Sequence, residues 1–241
     1  MRFESISPRT LLIIGLVDGR IVAVKFQYLT FDCYGTLIDW RKGIEAHLGG
    51  LLRKNGVVPK KKIFPIYVKF EAEEESDSKP YREVLKNTAM RIASHFGIAV
   101  PEKQAEEFAK TVPHWTPFSD TTETLKELGR RGYKRVILSN VDRDLLRETI
   151  LRNGLEVDGF ITAEDVRSYK PAVGHWNAFL ERYKATKDST LHIAQSLYHD
   201  VLPATKLGFD VAWINRYGEE NAGASPNYSF DDLKSLLTIL S

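Results

Sequence analysis

The spacing of hydrophobic positions changes twice along this chain of 241 residues. An apolar run at residues 26–31 predicts a β-strand that ends on Asp32. Apolar residues then recur at helical spacing through residues 40–116, and from residue 117 short apolar runs alternate with helical patterns. The predicted strands of this last part are residues 135–139, 159–162, 191–194 and 210–214, and the predicted helices are 121–131, 142–151, 172–183, 201–207 and 231–240. This alternation predicts an α/β fold, a doubly wound parallel sheet with helices on both faces.

The helical stretch is expected to form an inserted domain. Its helices are predicted near residues 44–52, 63–70, 81–96 and 101–108. An open parallel sheet has its active site at the carboxyl edge, and an insert after the first strand is placed to cover that edge as a lid. We therefore expect an α/β core domain at residues 25–39 and 117–241 and an all-helical cap domain at residues 40–116. The charge runs at 60–62 and 71–75 are interpreted as solvated helix faces.

The net charge, the length of the apolar runs and the cysteine count each argue against certain classes of function. The formal net charge of +2 is too small to indicate binding to nucleic acid or to a membrane surface. No apolar run approaches the roughly 18 residues of a spanning helix. The single cysteine, Cys33, rules out an internal disulfide and makes a reducing cytoplasm the expected location. Alternation along the strand directs Cys33 away from Asp32, which predicts a buried thiol. A monomer or homodimer with a small-molecule ligand is expected.

Asp32 is the first candidate for chemistry. Ligands of α/β proteins gather outside the carboxyl ends of the strands, and a carboxylate there can act as a nucleophile that forms an ester. Taken alone, Asp32 would be better explained as a cap of the following segment. Gly35 and Thr36 then form a tight turn, and three motifs further along the chain favour the functional interpretation. These motifs are Ser139-Asn140, Lys170-Pro171 and the loop 194–200 that ends on Asp200.

The order and spacing of these four motifs resemble the haloacid dehalogenase superfamily, and their details resemble its L-2-haloacid dehalogenase (type II) branch. The resemblance implies a Rossmann-like core with a cap and Asp32 as the nucleophile. It also implies that Lys170 keeps Asp32 ionised by lowering its pKa and that Asp200 activates the hydrolytic water. Thr36, Ser139 and Asn140 are expected to orient the substrate carboxylate and to stabilise the oxyanion. The expected reaction displaces a leaving group from a small 2-substituted carboxylate.

The departures from the family pattern bear on metal use and substrate. Tyr34 stands where phosphatases of the superfamily carry a second aspartate, which protonates the leaving alcohol. Gln195 stands where they usually have a further carboxylate, so that no metal cofactor is expected, although Asp32 and Asp200 could form a weak Mg²⁺ site. The alternatives are a Mg²⁺-dependent phosphatase and an inactive binding protein. The fourth-motif loop resembles a subgroup that includes an L-azetidine-2-carboxylate hydrolase.

Several further residues are expected to contact the substrate. Beside Ser139 and Asn140, these candidates are Tyr34, Trp40, Arg41, Trp176, Gln195, Ser196 and His199. Arg82 is a candidate for binding the substrate carboxylate from the cap. Characterised dehalogenases of the branch have a halide-binding arginine in the second cap helix, and here residues 63–75 offer only Lys69. Trp115 is expected to pack into the core at the hinge.

Residues 1–24 precede the strand that leads to Asp32. Two apolar runs, 11–17 and 20–26, are separated by Asp18-Gly19, which is typical of a β-hairpin. The segment is therefore either a hairpin beside the core or a non-native start upstream of the functional one. We favour the second interpretation, because the first strand of the superfamily normally opens the chain.

Overall fold

The computed structural model of the protein describes residues 13–17, 20–75 and 79–240. The strands are β1 (Ile13–Val17), β2 (Arg20–Val24), β3 (Tyr28–Phe31), β4 (Lys134–Ser139), β5 (Gly159–Thr162), β6 (Thr190–Ala194), β7 (Asp210–Ile214) and β8 (Tyr228–Phe230). Six of them form one parallel sheet in the order β5-β4-β3-β6-β7-β8. The strand that leads to Asp32 therefore lies inside the sheet, between β4 and β6.

The helices fall into two groups. They are α1 (Trp40–Lys54), α2 (Phe64–Glu74), α3 (Tyr81–His95), α4 (Glu102–Ala109), α5 (Thr121–Arg130), α6 (Arg143–Arg152), α7 (Ala163–Val166), α8 (Gly174–Tyr183) and α9 (Leu202–Leu207). The first four lie between β3 and α5, where the sequence predicts an all-helical insert. The other five alternate with the strands, and only the short α7 was not expected.

Both faces of the sheet are covered by helices. Alternate residues of β4 point to opposite faces, so Ile137 joins one apolar cluster while Val136 and Leu138 join the other. The first cluster includes Leu125 of α5 and the second includes Phe179 of α8. The predicted doubly wound parallel sheet is confirmed.

The C-terminal helix predicted at residues 231–240 is wrong. Residues Tyr228–Phe230 add the edge strand β8, and only Lys234–Thr238 form a short 3₁₀ helix. Leu233, Leu236 and Leu240 are buried at spacings of three and four, which produced the helical pattern. The carboxylate of Asp232 accepts from the backbone N–H and the hydroxyl of Ser235 at 2.8 Å, which stabilises a tight turn at this point.

Helix α1 connects the sheet to the insert. It begins after Asp39, whose carboxylate accepts from the backbone N–H of Lys42 at 3.1 Å. Gly43 packs directly on the ring of Trp115, since a Cβ at Gly43 would lie 2.4 Å from Cγ of that ring. Trp115 is buried between the two ends of the insert, so its predicted packing at the hinge is confirmed.

A carboxylate of the α/β part caps a helix of the insert. Helix α3 is preceded by Pro80, which offers no side-chain hydrogen bond to its N-terminus. Both oxygens of Asp142 fill this role, accepting from the backbone N–H groups of Tyr81 and Arg82 at 2.9 Å. Asp142 directly precedes α6, but its side chain makes no hydrogen bond to that helix. Its side chain joins the two parts of the molecule instead.

The N-terminal strands form a sheet of their own. Strands β1 and β2 pair antiparallel, with Ile13 opposite Val24 and Val17 opposite Arg20. This agrees with the hairpin alternative, while Asp18-Gly19 lies outside the described residues. That residues 1–24 precede a functional start stays a prediction. In the described ranges, no helix has the length and apolar character needed to cross a membrane.

Candidate active site

The candidate catalytic groups follow three adjacent strands. Asp32 comes directly after β3, Ser139 ends β4, and Gln195 comes directly after β6. These strands are parallel and β3 lies between the other two, so their carboxyl ends meet at one edge of the sheet. The three residues lie at this edge for the same local reason, which is that a buried apolar strand ends and a polar residue stands at its end.

Lys170 connects these strand ends. Its buried ammonium donates to Asp32 Oδ1 at 2.9 Å, to Asp200 Oδ1 at 2.6 Å and to the carbonyl oxygen of Leu138 at 2.9 Å. All three ammonium protons are therefore used. Burial by itself lowers the pKa of Lys170, but the charges of Asp200 and Asp32 outweigh burial and raise it overall. The side chain is a fixed cation at the centre of the site.

The two oxygens of Asp32 have different partners. Oδ1 accepts from Lys170, and Oδ2 accepts from Thr36 Oγ1 at 2.8 Å. Burial raises the pKa of Asp32, Lys170 lowers it and Asp200 raises it again, which leaves the pKa above its usual value. The expectation that Lys170 leaves Asp32 with a lowered pKa is therefore wrong in direction, because desolvation and a second carboxylate outweigh the ammonium.

Thr36 holds Asp32 from the side opposite to Lys170. Its hydroxyl donates to Asp32 and accepts from the backbone N–H of Gln195 at 2.8 Å. Gly35 makes the turn that brings Thr36 into place, with a φ of +101° that side-chain-bearing residues rarely adopt. A Cβ at Gly35 would also lie 2.9 Å from Nε1 of Trp40. The hydroxyl of Thr36 thus positions the nucleophile candidate.

Asp200 has one occupied and one open oxygen. Its Oδ1 accepts from Lys170 and lies 3.2 Å from His192 Nε2, while the Nδ1 of His192 lies 2.9 Å from Thr30 Oγ1. Its Oδ2 is buried and has no hydrogen-bond partner in the described structure. Burial acts to raise the pKa of Asp200, but Lys170 and His192 outweigh it and lower the pKa to about 2. Asp200 is therefore an anion with a free acceptor.

These groups lie on the wall of a cavity of about 350 Å³. It is bounded below by the sheet edge, and above by α1 and α2. The predicted site residues that line it are Asp32, Tyr34, Trp40, Arg41, Ser139, Asn140, Lys170, Gln195, Ser196, His199 and Asp200. Thr36 lies directly behind Asp32. The cavity is large enough for a small organic acid.

A family model for haloacid dehalogenase-like hydrolases matches residues 26–208 of the chain. The chain belongs to the haloacid dehalogenase-like hydrolases. The matched range includes all four motifs and the whole helical insert. Asp32, Lys170 and Asp200 thus lie together in an enzyme of this family.

The hydrolase is similar to named dehalogenases over most of its length. It is 23% identical over 232 residues to haloacetate dehalogenase H-2 of Moraxella sp. (strain B), covering 90% of this chain and 98% of that protein. It is 24% identical over 223 residues to (S)-2-haloacid dehalogenase of Pseudomonas putida, covering 87% and 89%. The structure of L-2-haloacid dehalogenase from Xanthobacter autotrophicus matches with a TM-score of 0.78 at 21% identity, covering 89% of this chain and 98% of that one. The resemblance to the L-2-haloacid dehalogenase branch is confirmed.

Two predicted substrate contacts of this hydrolase are corrected by the structure. Trp176 is fully buried under the sheet and packs edge-on against His192, with ring centroids 5.4 Å apart, so it does not line the cavity. The apolar face of α8 holds it in the core. Arg82 pairs with Asp144 at the surface and lines a different depression, so it does not reach the cavity either. Cys33 is buried in an apolar cluster, as predicted.

Two of the lining residues have their polar groups turned to the protein. The Tyr34 hydroxyl lies 2.7 Å from Thr149 Oγ1, so only its ring faces the cavity. The Asn140 Oδ1 accepts from the backbone N–H of Lys170 at 2.7 Å, and its Nδ2 donates to the carbonyl oxygen of Lys170 at 3.1 Å. Asn140 therefore fixes the loop that carries Lys170. The Ser139 hydroxyl makes no hydrogen bond among the described residues and is available to a substrate.

One side of the cavity carries unpartnered donors. The guanidinium of Arg41 lies 3.6 Å from the ring centroid of Tyr217 and 4.6 Å from that of Phe64. Three buried atoms here, Arg41 Nε, Trp40 Nε1 and Tyr217 Oη, have no hydrogen-bond partner in the described structure. Burial raises the pKa of Tyr217 to about 12, so its hydroxyl keeps its proton. Arg41 Nη2 also lies 3.9 Å from Glu219 Oε1, and the three unpartnered atoms can bind an anionic substituent beside this pair.

Sequence reasoning missed several groups at the site. Glu71 and Glu75 of the supposedly solvated charge run are largely buried and line the cavity. Their spacing of four residues puts both on the inner face of α2, a signal that the mixed charge run concealed. Tyr217 follows β7, so its place near the carboxyl edge of the sheet could have been predicted from the sequence. His192 is a polar residue within an apolar strand, and such residues are usually hydrogen-bonded.

Proposed function

We propose that this hydrolase displaces a leaving group from a small 2-substituted carboxylate through an ester of Asp32. The observation that carries the proposal is the ammonium of Lys170 held between Asp32 and Asp200 on the cavity wall. The names of its relatives, which are haloacetate and (S)-2-haloacid dehalogenases, support a 2-haloacid as substrate.

In the first step, the Asp32 carboxylate attacks the carbon that bears the leaving group. The Asp32 oxygen–carbon bond forms as the bond to the leaving group breaks, and the electron pair departs with that group. Lys170 and Thr36 hold the carboxylate at a fixed angle through one oxygen each. The substrate carboxylate is bound by the donors around Arg41, whereas the Ser139 hydroxyl lies on the other side of β3 and can contact the rest of the substrate. Thr36 and Asn140, expected to bind the carboxylate, have their hydrogen bonds engaged within the protein.

In the second step, water attacks the carbonyl carbon of the Asp32 ester. Asp200 Oδ2 is the open acceptor that takes a proton from this water. Lys170 and Thr36 each donate to a different Asp32 oxygen. Whichever of them contacts the oxygen that is not bonded to the substrate stabilises the oxyanion that develops there. Asp200 passes this proton to the departing oxygen as the ester releases the alcohol, so the product is a 2-hydroxy acid and Asp32 retains one oxygen from water.

The residues fit a magnesium ion poorly. Asp32 and Asp200 would hold it, but both Asp32 oxygens and Asp200 Oδ1 already accept hydrogen bonds from protein groups. Among the described residues, no group of three His, Cys, Asp or Glu side chains is arranged to hold a metal. The proposed mechanism therefore involves no metal ion, and the alternative of a Mg²⁺-dependent phosphatase is not favoured. Metal-independent turnover is part of the proposal.

Single turnover in ¹⁸O-water tests the ester. The enzyme in excess is mixed with L-2-chloropropionate, with and without EDTA, and the peptide that contains Asp32 is analysed by mass spectrometry. We expect the heavy isotope in Asp32, equally in both samples. Asp32→Asn is the control, since it should release no chloride. Label found only in the product hydroxyl would mean direct attack by water and would refute the ester.

A further inference from the structure

Two acidic side chains enter the cavity from the insert. Glu71 and Glu75 lie one helical turn apart at the end of α2, and both line the same cavity as Asp32. The Glu75 side chain is 11% exposed, and its Oε1 lies 3.4 Å from Asn140 Nδ2 and its Oε2 lies 3.7 Å from His199 Nε2. No lysine or arginine forms an ion pair with Glu75 in the described structure. A bare carboxylate there would be costly, so a neutral carboxylic acid is favoured.

The charged groups around Glu75 agree with this state. The groups that face it from the surrounding elements are Glu71, Tyr67, Tyr81, Tyr169, Lys170 and His199. Burial and the charge of Glu71 raise the pKa of Glu75 to about 9, although Asn140 and Lys170 act against them. Burial lowers the pKa of His199 to about 4, so His199 is neutral at pH 7. Glu75 thus holds a proton at neutral pH.

Of the two acids Glu71 and Glu75, Glu71 is the one that accepts hydrogen bonds from tyrosine hydroxyls. Its Oε1 accepts from the hydroxyls of Tyr67, at 2.9 Å, and of Tyr81. Burial raises the pKa of Glu71 to about 7, and these two hydroxyls act to lower it. Hydrogen bonds donated to a carboxylate favour its charged form. Glu75 has no comparable donors, so it is expected to keep its proton at a pH at which Glu71 has lost its own.

The strand order places the acid and the cation on opposite sides of Asp32. Glu75 contacts Asn140, which follows β4, on one side of β3. Arg41 stacks on Tyr217, which follows β7, on the other side of β3. In a substrate whose carboxylate binds at Arg41, a C2 substituent that points away from the carboxylate therefore points toward the side of the cavity that Glu75 lines.

We propose, on the basis that Asp32 is the nucleophile, that Glu75 donates a proton to the leaving group as its bond to carbon breaks. Glu75 would then supply the acid that Tyr34 cannot. The proposal also defines the substrate class, which is carboxylic acids whose leaving atom is a strong proton acceptor, such as fluorine or nitrogen. Chloride and bromide leave without a proton and make no use of this group.

The protons balance over the two steps. Asp32 gains the carbon, the electron pair of the broken bond goes to the leaving atom, and the proton of Glu75 joins that atom. Water then cleaves the ester at its carbonyl carbon. One hydrogen of the water reaches the product alcohol through Asp200. The other is lost from the re-formed carboxyl group of Asp32, and a proton taken up from solvent restores Glu75. The sum is substrate plus water giving alcohol plus protonated leaving group.

The test compares two leaving groups in one pair of variants. Glu75→Gln keeps the shape but has no acidic proton, and Glu73→Gln, on the outer side of the same helix, is the matched control. With L-2-fluoropropionate, Glu75→Gln should lower kcat at least about 100-fold, the usual contribution of general acid catalysis. With L-2-chloropropionate, the same variant should retain kcat within about threefold. An equal loss with both substrates, or no release of fluoride by the wild type, would overturn the role of Glu75.

A second measurement requires no substrate. The infrared difference spectrum between wild type and Glu75→Gln at pH 7 should show the loss of a protonated carboxylic acid band, which titrates near pH 9. Loss of a carboxylate band instead would refute the proposal. The ¹⁸O experiment on chloropropionate is independent of Glu75, so failure of the ester mechanism and failure of the proton donor are distinguishable.

Discussion

Two buried carboxylates, those of Asp32 and Asp200, share the single ammonium of Lys170. Lys170 and His192 lower the pKa of Asp200 to about 2, whereas burial and the charge of Asp200 raise the pKa of Asp32, so the surroundings stabilise the two anions unequally. This inequality suits the proposed mechanism. Asp200 remains a permanent anion that can receive a proton from water, whereas Asp32 is a less stabilised and therefore more reactive anion.

The variant Asp200→Asn tests the role of Asp200 as a proton acceptor separately from the role of Asp32 as a nucleophile. The variant removes the negative charge that helps to raise the pKa of Asp32, so this pKa should fall. Asp32 attacks only as an anion, and activity is lost as pH falls through its pKa. The acid limb of ester formation should therefore move to lower pH. Ester hydrolysis should slow by about 100-fold or more, because an amide accepts no proton from water.

Rapid quench and mass spectrometry of the intact protein measure the rate of ester formation and the rate of ester hydrolysis. With L-2-chloropropionate, the variant should accumulate the ester of Asp32, and the rate of its formation is followed against pH. An acid limb that stays in place or moves upward would contradict the electrostatic account of Asp32.

At the scale of elements, helix α1 shows how a packing contact depends on a missing side chain. Its glycines Gly43 and Gly50 are both in the helix interior, where glycine is unfavourable relative to alanine. Gly43 is in contact with Trp115, whereas a Cβ at Gly50 would meet no atom within 4 Å. The two positions therefore separate intrinsic helix propensity from packing.

Gly43→Ala and Gly50→Ala should change stability in opposite directions. The first forces a methyl group into the ring of Trp115, and we expect a loss of about 1–3 kcal/mol in the free energy of unfolding. The second should gain about 0.5–1 kcal/mol from reduced backbone entropy in the unfolded state. Urea denaturation followed by tryptophan fluorescence measures both. Equal shifts in one direction would show that Trp115 does not constrain this helix.

For the whole molecule, the important contacts are those that join the sheet to the insert. The chain crosses between these parts near Asp39 and Thr116, where the Asp39 backbone N–H donates to the Thr116 carbonyl oxygen at 2.9 Å. Asp142 adds a third connection at a distance from this hinge, by capping α3. The division into core domain and cap domain, which we propose from the sequence, implies that Asp142 helps to fix their relative orientation.

Asp142→Ala should lower the free energy of unfolding by about 0.5–2 kcal/mol, the usual cost of losing a helix cap. It should also increase protease cleavage near residue 80, because the first turn of α3 loses its partner. Asp144→Asn is the control, since it removes the surface pair with Arg82 and keeps the cap. A surface pair contributes less than about 1 kcal/mol. Equal effects of the two substitutions would show that capping by Asp142 is unimportant.

The order of apolar and polar residues was sufficient to predict the architecture and the centre of the site. The period of apolar residues specifies each strand and helix locally, and parallel strands bring their carboxyl ends together, so Asp32, Ser139 and Asp200 could be placed at one edge. It failed at residues 231–240, where buried leucines at helical spacing belong to a strand-and-turn segment. Periodicity reports which residues are buried, and short segments can satisfy the same burial in another conformation.

The surroundings of that centre depend on contacts between elements that are far apart in the chain. The burial of Trp176, the capping of α3 by Asp142 and the entry of Glu75 into the cavity all depend on elements distant in sequence. The net pKa shift of Asp32 likewise depends on how much water the fold excludes, which no motif encodes. Sequence patterns record local preference, whereas charge balance and cavity lining result from the packing of separate elements against each other.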